Sequence, residues 1–179
     1  MNQILVFGGS NSRNSINKQL ATYAAARLEG NNNIILDLND YEMPIFSKER
    51  EKDGGIPEEA YRFKKHIEQA DGIIMSLAEN NGSYNAAYKN IYDWVSRIEG
   101  NMWEDKPILL MATSPGKRGG KSVLQAANNR LPFQGGNVVA TFSLPSFKEN
   151  FDKEQGITDS DLLDELKQQL ALFKQSLEE

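Results

Sequence analysis

The chain has 179 residues, a quarter of them charged, and a formal net charge of −5 at pH 7. It contains no cysteine and one histidine, which excludes disulfides, thiolate catalysis, cysteine-ligated metals and histidine metal clusters. Because nucleic-acid binding is driven by basic surface, the acidic balance also argues against nucleic acid as a partner.

The sequence predicts one domain over residues 1–179, because no linker, low-complexity run or internal repeat divides it. No apolar run approaches the roughly 18 residues that a membrane span needs. The N-terminus shows no basic and then apolar signal segment. We therefore expect a cytoplasmic protein without a membrane partner.

The first predicted strand, residues 2–8, is followed by a loop of glycine, serine and asparagine and by a helix predicted over residues 15–29. A helix start presents unpaired backbone N–H groups and the positive end of the helix dipole, which suit a phosphate group. The loop lacks G-x-G-x-x-G and G-x-x-x-x-G-K-[ST], so it suits a terminal monophosphate better than a pyrophosphate. The alternative is a capped turn without a ligand, with Ser15 as the N-cap.

Predicted strands and helices alternate along the rest of the chain. Strands are predicted at residues 34–36, 73–77, 108–113 and 138–142, and helices at residues 57–69, 86–99, 122–131 and 158–179. Residues 41–57 are predicted to be irregular because they contain two prolines and two glycines. Within them, the charged run 47–53 is predicted to be a solvated loop.

Five short apolar strands that alternate with helices predict an α/β fold with a parallel sheet covered on both faces. Five strands fit the flavodoxin-like order 2-1-3-4-5 in a three-layer α/β/α sandwich. In this order a ligand lies beyond the carboxyl ends of strands one and three. The loops after strands one, three and four are therefore expected to converge on one crevice.

Residues 78–94 carry a resemblance to a known family. They read AENNGSYNAAYKNIYDW and resemble, without a gap, the segment P-E-Y-N-G-S-x-P-G-x-L-K-N-A-I-D-W of the NADPH-dependent FMN reductases. This flavodoxin-like family includes quinone, azo and chromate reductases. Residues 9–17 resemble its phosphate motif G-S-x-R-x-x-S-x-N. The glycine-rich turn after strand four, residues 114–120, resembles the third loop of the family and is called the third loop below.

The chain departs from the family pattern at several positions. Where the long segment of the family has proline, tyrosine, a second proline and glycine, this chain has, in the same order, Ala78, Asn80, Asn85 and Ala86. The arginine of the phosphate motif is Ser12 here, and Arg13 stands beside it. The resemblance implies that the tyrosine replaced here by Asn80 lies close to the flavin in relatives. Packing against the flavin ring or substrate access is therefore expected to differ in this chain.

The resemblance implies a bound FMN that is reduced by NADPH or NADH. The FMN phosphate is expected at Ser10, Ser12, Arg13, Ser15, Ile16 and Asn17. The ribityl chain and the edge of the ring are expected at Glu79, Asn80, Asn81 and Gly82. The third loop is expected to approach the ring with Ser114, Pro115, Gly116, Gly119 and Gly120. Lys117 and Arg118 either bind the NADPH phosphate or are solvated loop charges.

Other residues near these motifs are expected to be structural. Lys89 and Asp93 have the i,i+4 spacing of a helical ion pair, and Trp94 is expected to pack. Two roles are open for Tyr84 and Trp103. They cover the flavin or a subunit contact, or they simply pack in the core or on the surface.

The resemblance implies an NAD(P)H-dependent FMN oxidoreductase that passes hydride to flavin N5 and then to a quinone-like, azo or other small acceptor in a ping-pong cycle. The flavin supplies the chemistry, so no catalytic side chain and no metal are expected. A homodimer or homotetramer is also implied. The alternatives are a flavodoxin-like FMN electron carrier that does not oxidise NAD(P)H directly, and a flavin-free binding domain.

Overall fold

The computed structural model describes residues 1–178 of the chain. Its main sheet contains, in chain order, β1 (Gln3–Gly9), β2 (Asn32–Leu36), β3 (Gly72–Asn80), β4 (Ser83–Tyr84), β5 (Pro107–Thr113) and β6 (Asn137–Leu144). The five parallel strands lie in the order β2-β1-β3-β5-β6, and β4 pairs antiparallel with β3. The order of the parallel strands is the predicted one, and the numbering differs because β4 was not predicted.

Seven α-helices, two 3₁₀ helices (Leu38–Tyr41 and Leu131–Gln134) and a small second sheet complete the secondary structure of the described chain. The helices are α1 (Ile16–Ala26), α2 (Lys48–Gly54), α3 (Glu58–Gln69), α4 (Ala86–Val95), α5 (Lys121–Arg130), α6 (Phe147–Asn150) and α7 (Ser160–Ser176). A two-stranded hairpin is formed by β7 (Phe151–Asp152) and β8 (Gly156–Ile157). Within residues 1–178, no helix combines the length and the apolar character needed to cross a membrane.

Alternate residues of β3 enter two hydrophobic clusters, one on each face of the sheet. Ile74 packs with residues of α1 and α7. Ile73 and Met75 face the opposite side and pack with residues of α3, α4 and α5. Because both faces are covered by helices, the buried parts of the central strands are mostly apolar, and Ser76 and Thr113 are their buried polar residues. The predicted three-layer α/β/α arrangement is confirmed.

Residues 48–54 form α2, so the prediction of a solvated loop at residues 47–53 was wrong. Ser47 caps this helix, because its Oγ accepts a hydrogen bond from the N–H of Arg50 at 3.2 Å. Glu49 and Glu51 stand in the first turn, where the helix dipole favours negative charge. None of the residues of α2 is buried, so no apolar periodicity could reveal it.

The third strand is longer than predicted and continues to Asn80. Asn81 and Gly82 have φ values of 53° and 75°, and they connect β3 to β4 in a two-residue hairpin. A two-residue hairpin turn favours Asn-Gly, because both central residues need positive φ. The Asn-Gly pair was therefore a signal for this hairpin in the sequence.

Two helices also end earlier than predicted. The first stops at Ala26, with Arg27 as its C-cap. The fourth stops at Val95, where the hydroxyl of Ser96 donates to the carbonyl of Asp93 at 2.8 Å. At both ends a backbone bond spans three residues instead of four: the N–H of Arg27 donates to the carbonyl of Ala24 at 3.2 Å, and that of Arg97 to the carbonyl of Trp94 at 3.0 Å. Hydrophobic periodicity does not register this change of spacing.

Lys18 of α1 and Asp37, which directly follows β2, form an ion pair of 2.6 Å. The hydrogen bond from Lys18 and a second one from the backbone of Asn39 lower the pKa of Asp37 from 3.8 to about 2. A carboxyl group whose pKa is lower in the folded than in the unfolded state stabilises the protein at pH values above its unfolded-state pKa. This contribution is lost as the pH falls through about 2.

We expect Asp37→Asn to lower the free energy of unfolding near neutral pH by about 1 kcal/mol or less, because both side chains are about one-third exposed. The difference from wild type should shrink as the pH falls from about 4 to about 2. Urea unfolding at several pH values measures it, with the exposed Asp53→Asn as a control. A difference that stays constant over this range would contradict the assignment.

Candidate functional site

The loops that follow β1, β3 and β5 meet in a cleft of about 250 Å³. Such a crevice at the carboxyl ends of parallel strands is where ligands bind in open α/β sheets. The predicted site residues that line it are Ser10, Ser12, Ser15, Ile16, Asn17, Glu79, Asn80, Ser114 and Pro115. The lining also includes three residues that the sequence analysis did not single out for this site: Asn14, Ala78 (noted only as a departure) and Thr113.

The structure places the remaining predicted residues outside the lining of this cleft. They are Arg13, Asn81, Gly82, Gly116, Lys117, Arg118, Gly119 and Gly120. Arg13 lines an adjoining groove of about 580 Å³ along α1, which shares Asn14 and Ser15 with the cleft. Lys117 and Arg118 are exposed, and Arg118 donates to the hydroxyl of Ser122 at 2.9 Å.

Gly119 and Gly120 are buried and have φ values of 58° and 74°. A Cβ added at Gly119 would lie 2.9 Å from the nitrogen of Pro145. A Cβ added at Gly120 would lie 2.9 Å from the Cβ of Ala112. These glycines therefore allow the third loop to pack on the ends of β5 and β6.

The loop between β1 and α1 combines a helix cap with free backbone donors. The Oγ of Ser15 accepts from the N–H of Lys18 at 3.1 Å, so Ser15 is the N-cap of α1. In the part of the chain that the structure describes, the N–H groups of Ile16 and Asn17 donate to no protein atom. Capping and anion binding are therefore compatible here, since two oriented N–H groups stay available for a ligand at the positive end of the helix.

The side chain of Asn17 is 2% exposed and connects α1 to two strands. Its Oδ1 accepts from the hydroxyl of Ser76 at 2.7 Å and from the N–H of Thr113 at 3.0 Å. Its Nδ2 donates to the carbonyl of Thr113 at 3.2 Å. These bonds hold the buried amide against the two strands, so the phosphate contact expected for Asn17 is assigned to its backbone N–H.

The carboxylate of Glu79 is directed at the first turn of α5. Its Oε2 accepts from the N–H groups of Ser122 at 2.9 Å and Val123 at 3.1 Å. The helix needs this cap from β3 because its own N-cap, Gly120, has no side chain. The negative charge of Glu79 is therefore compensated by a helix N-terminus, and the cleft can accept an anion.

We expect Glu79→Ala to lower the free energy of unfolding by about 2 kcal/mol, because two helix N–H groups lose a charged acceptor. Glu79→Gln keeps an oxygen at this position and should lose about half as much. Urea unfolding of both variants measures the difference. Equal stability of Glu79→Ala and wild type would show that water replaces the carboxylate without cost.

The long motif also binds a neighbouring segment, residues 43–46. Asn90 of α4 donates to the carbonyl of Met43 at 3.0 Å and accepts from the N–H of Phe46 at 2.9 Å. The indole N–H of Trp94 donates to the carbonyl of Pro44 at 2.7 Å. Asn90 and Trp94 therefore hold this segment against α4, and the expected packing role of Trp94 is confirmed.

The other residues expected to be structural are also in contact within the chain. Lys89 and Asp93 form the predicted ion pair, at 2.7 Å. Trp103 is fully buried and stacks on Tyr92 with ring centroids 6.4 Å apart. Tyr84 is half-buried and packs on Tyr88 at 5.6 Å. The structure favours packing over flavin contact for Trp103 and Tyr84.

Comparison with known proteins yields one family match and several relatives. The model of the family described as NADPH-dependent FMN reductase matches residues 2–150. The 2-hydroxy-1,4-benzoquinone reductase of a Burkholderia species is 36% identical over 118 residues, which are 65% of this chain and 63% of that protein. The NADPH:quinone oxidoreductase of Arabidopsis thaliana is 33% identical over 132 residues, which are 72% of this chain and 66% of that protein. The chain thus spans just under two thirds of each of these relatives.

A solved structure resembles the chain over nearly its whole length. FerB of Paracoccus denitrificans, described as a flavoenzyme NAD(P)H:(acceptor) oxidoreductase, has a TM-score of 0.79 and 26% sequence identity. The match covers 99% of this chain and 98% of that one. The flavodoxin-like α/β fold predicted from the sequence is therefore confirmed.

Proposed function

This chain belongs to the family of NADPH-dependent FMN reductases and is an oxidoreductase, and we propose that it reduces quinones or similar small acceptors in a ping-pong cycle. One observation supports FMN binding most directly. The cleft formed by the three loops contains two free N–H groups at the start of α1, together with the hydroxyls of Ser10 and Ser12. These are the donors that a terminal phosphate requires.

Bound FMN would accept hydride from a nicotinamide and pass it to the acceptor. The residues of the chain then have binding tasks. The N–H groups of Ile16 and Asn17 would hold the phosphate, and Ser10 and Ser12 would add side-chain hydrogen bonds. Glu79, whose carboxylate is already paired with α5, would offer backbone groups along the cleft without repelling the phosphate.

Quinones are the proposed acceptors because the two curated relatives above are named for quinone reduction. We also propose that the protein forms a homodimer or homotetramer, in keeping with the family resemblance. Azo compounds and other small oxidants remain the second group of substrates to compare. The electron-carrier alternative requires that NAD(P)H does not reduce the protein directly.

Steady-state kinetics with NADPH and a series of benzoquinones test this proposal. Parallel double-reciprocal lines are expected, because donor and acceptor take turns in one cleft. Intersecting lines would contradict the ping-pong cycle. Absence of NADPH oxidation with every acceptor, in protein that retains FMN, would favour the electron carrier.

Lys117 and Arg118 are exposed and closely follow Ser114 and Pro115, which line the cleft, and we propose that they bind the additional phosphate of NADPH. The double variant Lys117→Ala/Arg118→Ala should raise the KM for NADPH about tenfold, because it loses charge-assisted hydrogen bonds. The KM for NADH, which lacks this phosphate, should change little. Equal effects on the two nucleotides would contradict the assignment, and the variant Lys121→Ala controls for loss of charge nearby.

A further inference from the structure

The two asparagines that replace the tyrosine and the second proline of the family segment contact each other. The Nδ2 of Asn85 donates to the Oδ1 of Asn80 at 3.0 Å. Asn80 is the last residue of β3 and lines the cleft, and Asn85 is the N-cap of α4. The bond therefore connects the rim of the cleft to the start of a helix. A proline has no side-chain donor, so the family pattern cannot form it.

The start of α4 determines which way both amides face. The Oδ1 of Asn85 accepts from the N–H groups of Ala87 at 3.0 Å and Tyr88 at 3.4 Å. Because only an oxygen can accept these bonds, the amide group of Asn85 must present its Nδ2 to Asn80. A donor needs an acceptor opposite it, so Asn80 must turn its Oδ1 toward Asn85.

The Nδ2 of Asn80 is left as an oriented donor at the rim of the cleft. It makes no hydrogen bond with any protein atom in the described residues 1–178. Both of its protons are therefore available to a ligand. An amide held in one orientation loses less rotational freedom when it binds than a free side chain does.

We propose that the Nδ2 of Asn80 donates a hydrogen bond to a carbonyl oxygen at the edge of the bound flavin ring. Asn85 is the positioning residue that keeps this amide in the donating orientation. The inference rests on the proposed function, since it requires FMN in the cleft. The carbonyl edge of a flavin carries more negative charge after reduction, and hydrogen bonds to charged acceptors are the stronger ones. Asn80 should therefore stabilise reduced FMN more than oxidised FMN.

Three variants test this inference. Asn80→Ala removes the donor. Asn85→Ser keeps a side-chain oxygen that can cap α4, but it removes the amide that orients Asn80. Ser83→Ala changes an exposed residue that pairs with Asn80 in the same hairpin and does not line the cleft, and it serves as the control.

The dissociation constant and the midpoint potential of FMN are measured for all four proteins. Asn80→Ala should weaken binding of oxidised FMN about tenfold. A further tenfold loss for reduced FMN lowers the two-electron midpoint potential by about 30 mV. Asn85→Ser should shift both quantities in the same direction by a smaller amount, and Ser83→Ala should shift neither. Thermal unfolding without FMN verifies that α4 stays capped in Asn85→Ser.

Equal affinity and potential in Asn80→Ala and wild type would overturn the inference. A shift in Asn80→Ala with none in Asn85→Ser would overturn the positioning role of Asn85. A wild-type protein that binds no FMN would instead overturn the proposed function, and the inference with it.

Discussion

Asn17→Ala is expected to lower the free energy of unfolding by about 3 kcal/mol, because it leaves buried polar groups of two strands without a partner. Ser76 is fully buried and Thr113 is 1% exposed, so water cannot easily replace the lost amide. The variant should also weaken FMN binding more than tenfold, since Asn17 holds the start of α1 against β3 and β5. Urea unfolding and titration with FMN measure the two effects.

The effect of Asn17→Ala can be separated from a general loss of packing. Ser76→Ala removes the hydroxyl that Asn17→Ala leaves unpaired, so the double variant should be less destabilised than the sum of the two single variants. Asn14→Ala, on the same loop but exposed, should change the stability by about 0.5 kcal/mol or less. Additive losses at Asn17 and Ser76 would contradict the hydrogen-bond account.

Gly8→Ala is expected to be the second severe substitution, with a loss of about 3 kcal/mol or more. A Cβ at Gly8 would lie 2.7 Å from the Cα of Lys18 and 2.9 Å from the carbonyl carbon of Asn17. Both atoms belong to the backbone of the first turn of α1, so the helix must move away from the strand. This movement displaces the free N–H groups, and FMN binding should weaken together with stability.

The adjacent glycine provides a matched comparison for Gly8→Ala. A Cβ at Gly9 would lie 2.7 Å from the Cδ2 of Leu77, which is the far end of a flexible side chain. Gly9→Ala should therefore cost about 1 kcal/mol, because the leucine can change its rotamer. Urea unfolding of both variants tests the comparison, and equal losses at the two positions would contradict it.

The sequence was sufficient for the fold and for the location of the cleft. Apolar strands that alternate with helices predicted the parallel sheet and its order, and the order predicted which loops meet. Local signals also identified Ser15 as the cap of α1. Periodicity missed α2, because none of its residues is buried.

The uses of individual polar side chains could not be predicted from the sequence. Asn17 and Thr113 are 96 positions apart, and Glu79 and Ser122 are 43 positions apart. No local pattern indicates that such side chains satisfy backbone groups of distant elements, because the partners meet only after the sheet forms. The hairpin between β3 and β4 differs in this respect, because the adjacent pair Asn81-Gly82 is itself a local signal for a two-residue turn.

An anaerobic absorbance titration of the FMN-loaded protein with NADPH tests the central claim most directly. The proposed function predicts rapid bleaching of the bound flavin, with one equivalent of NADPH for each FMN. Protein that retains FMN but stays oxidised would contradict the reductase and favour the electron carrier. Protein that retains no FMN would contradict the assignment of the cleft.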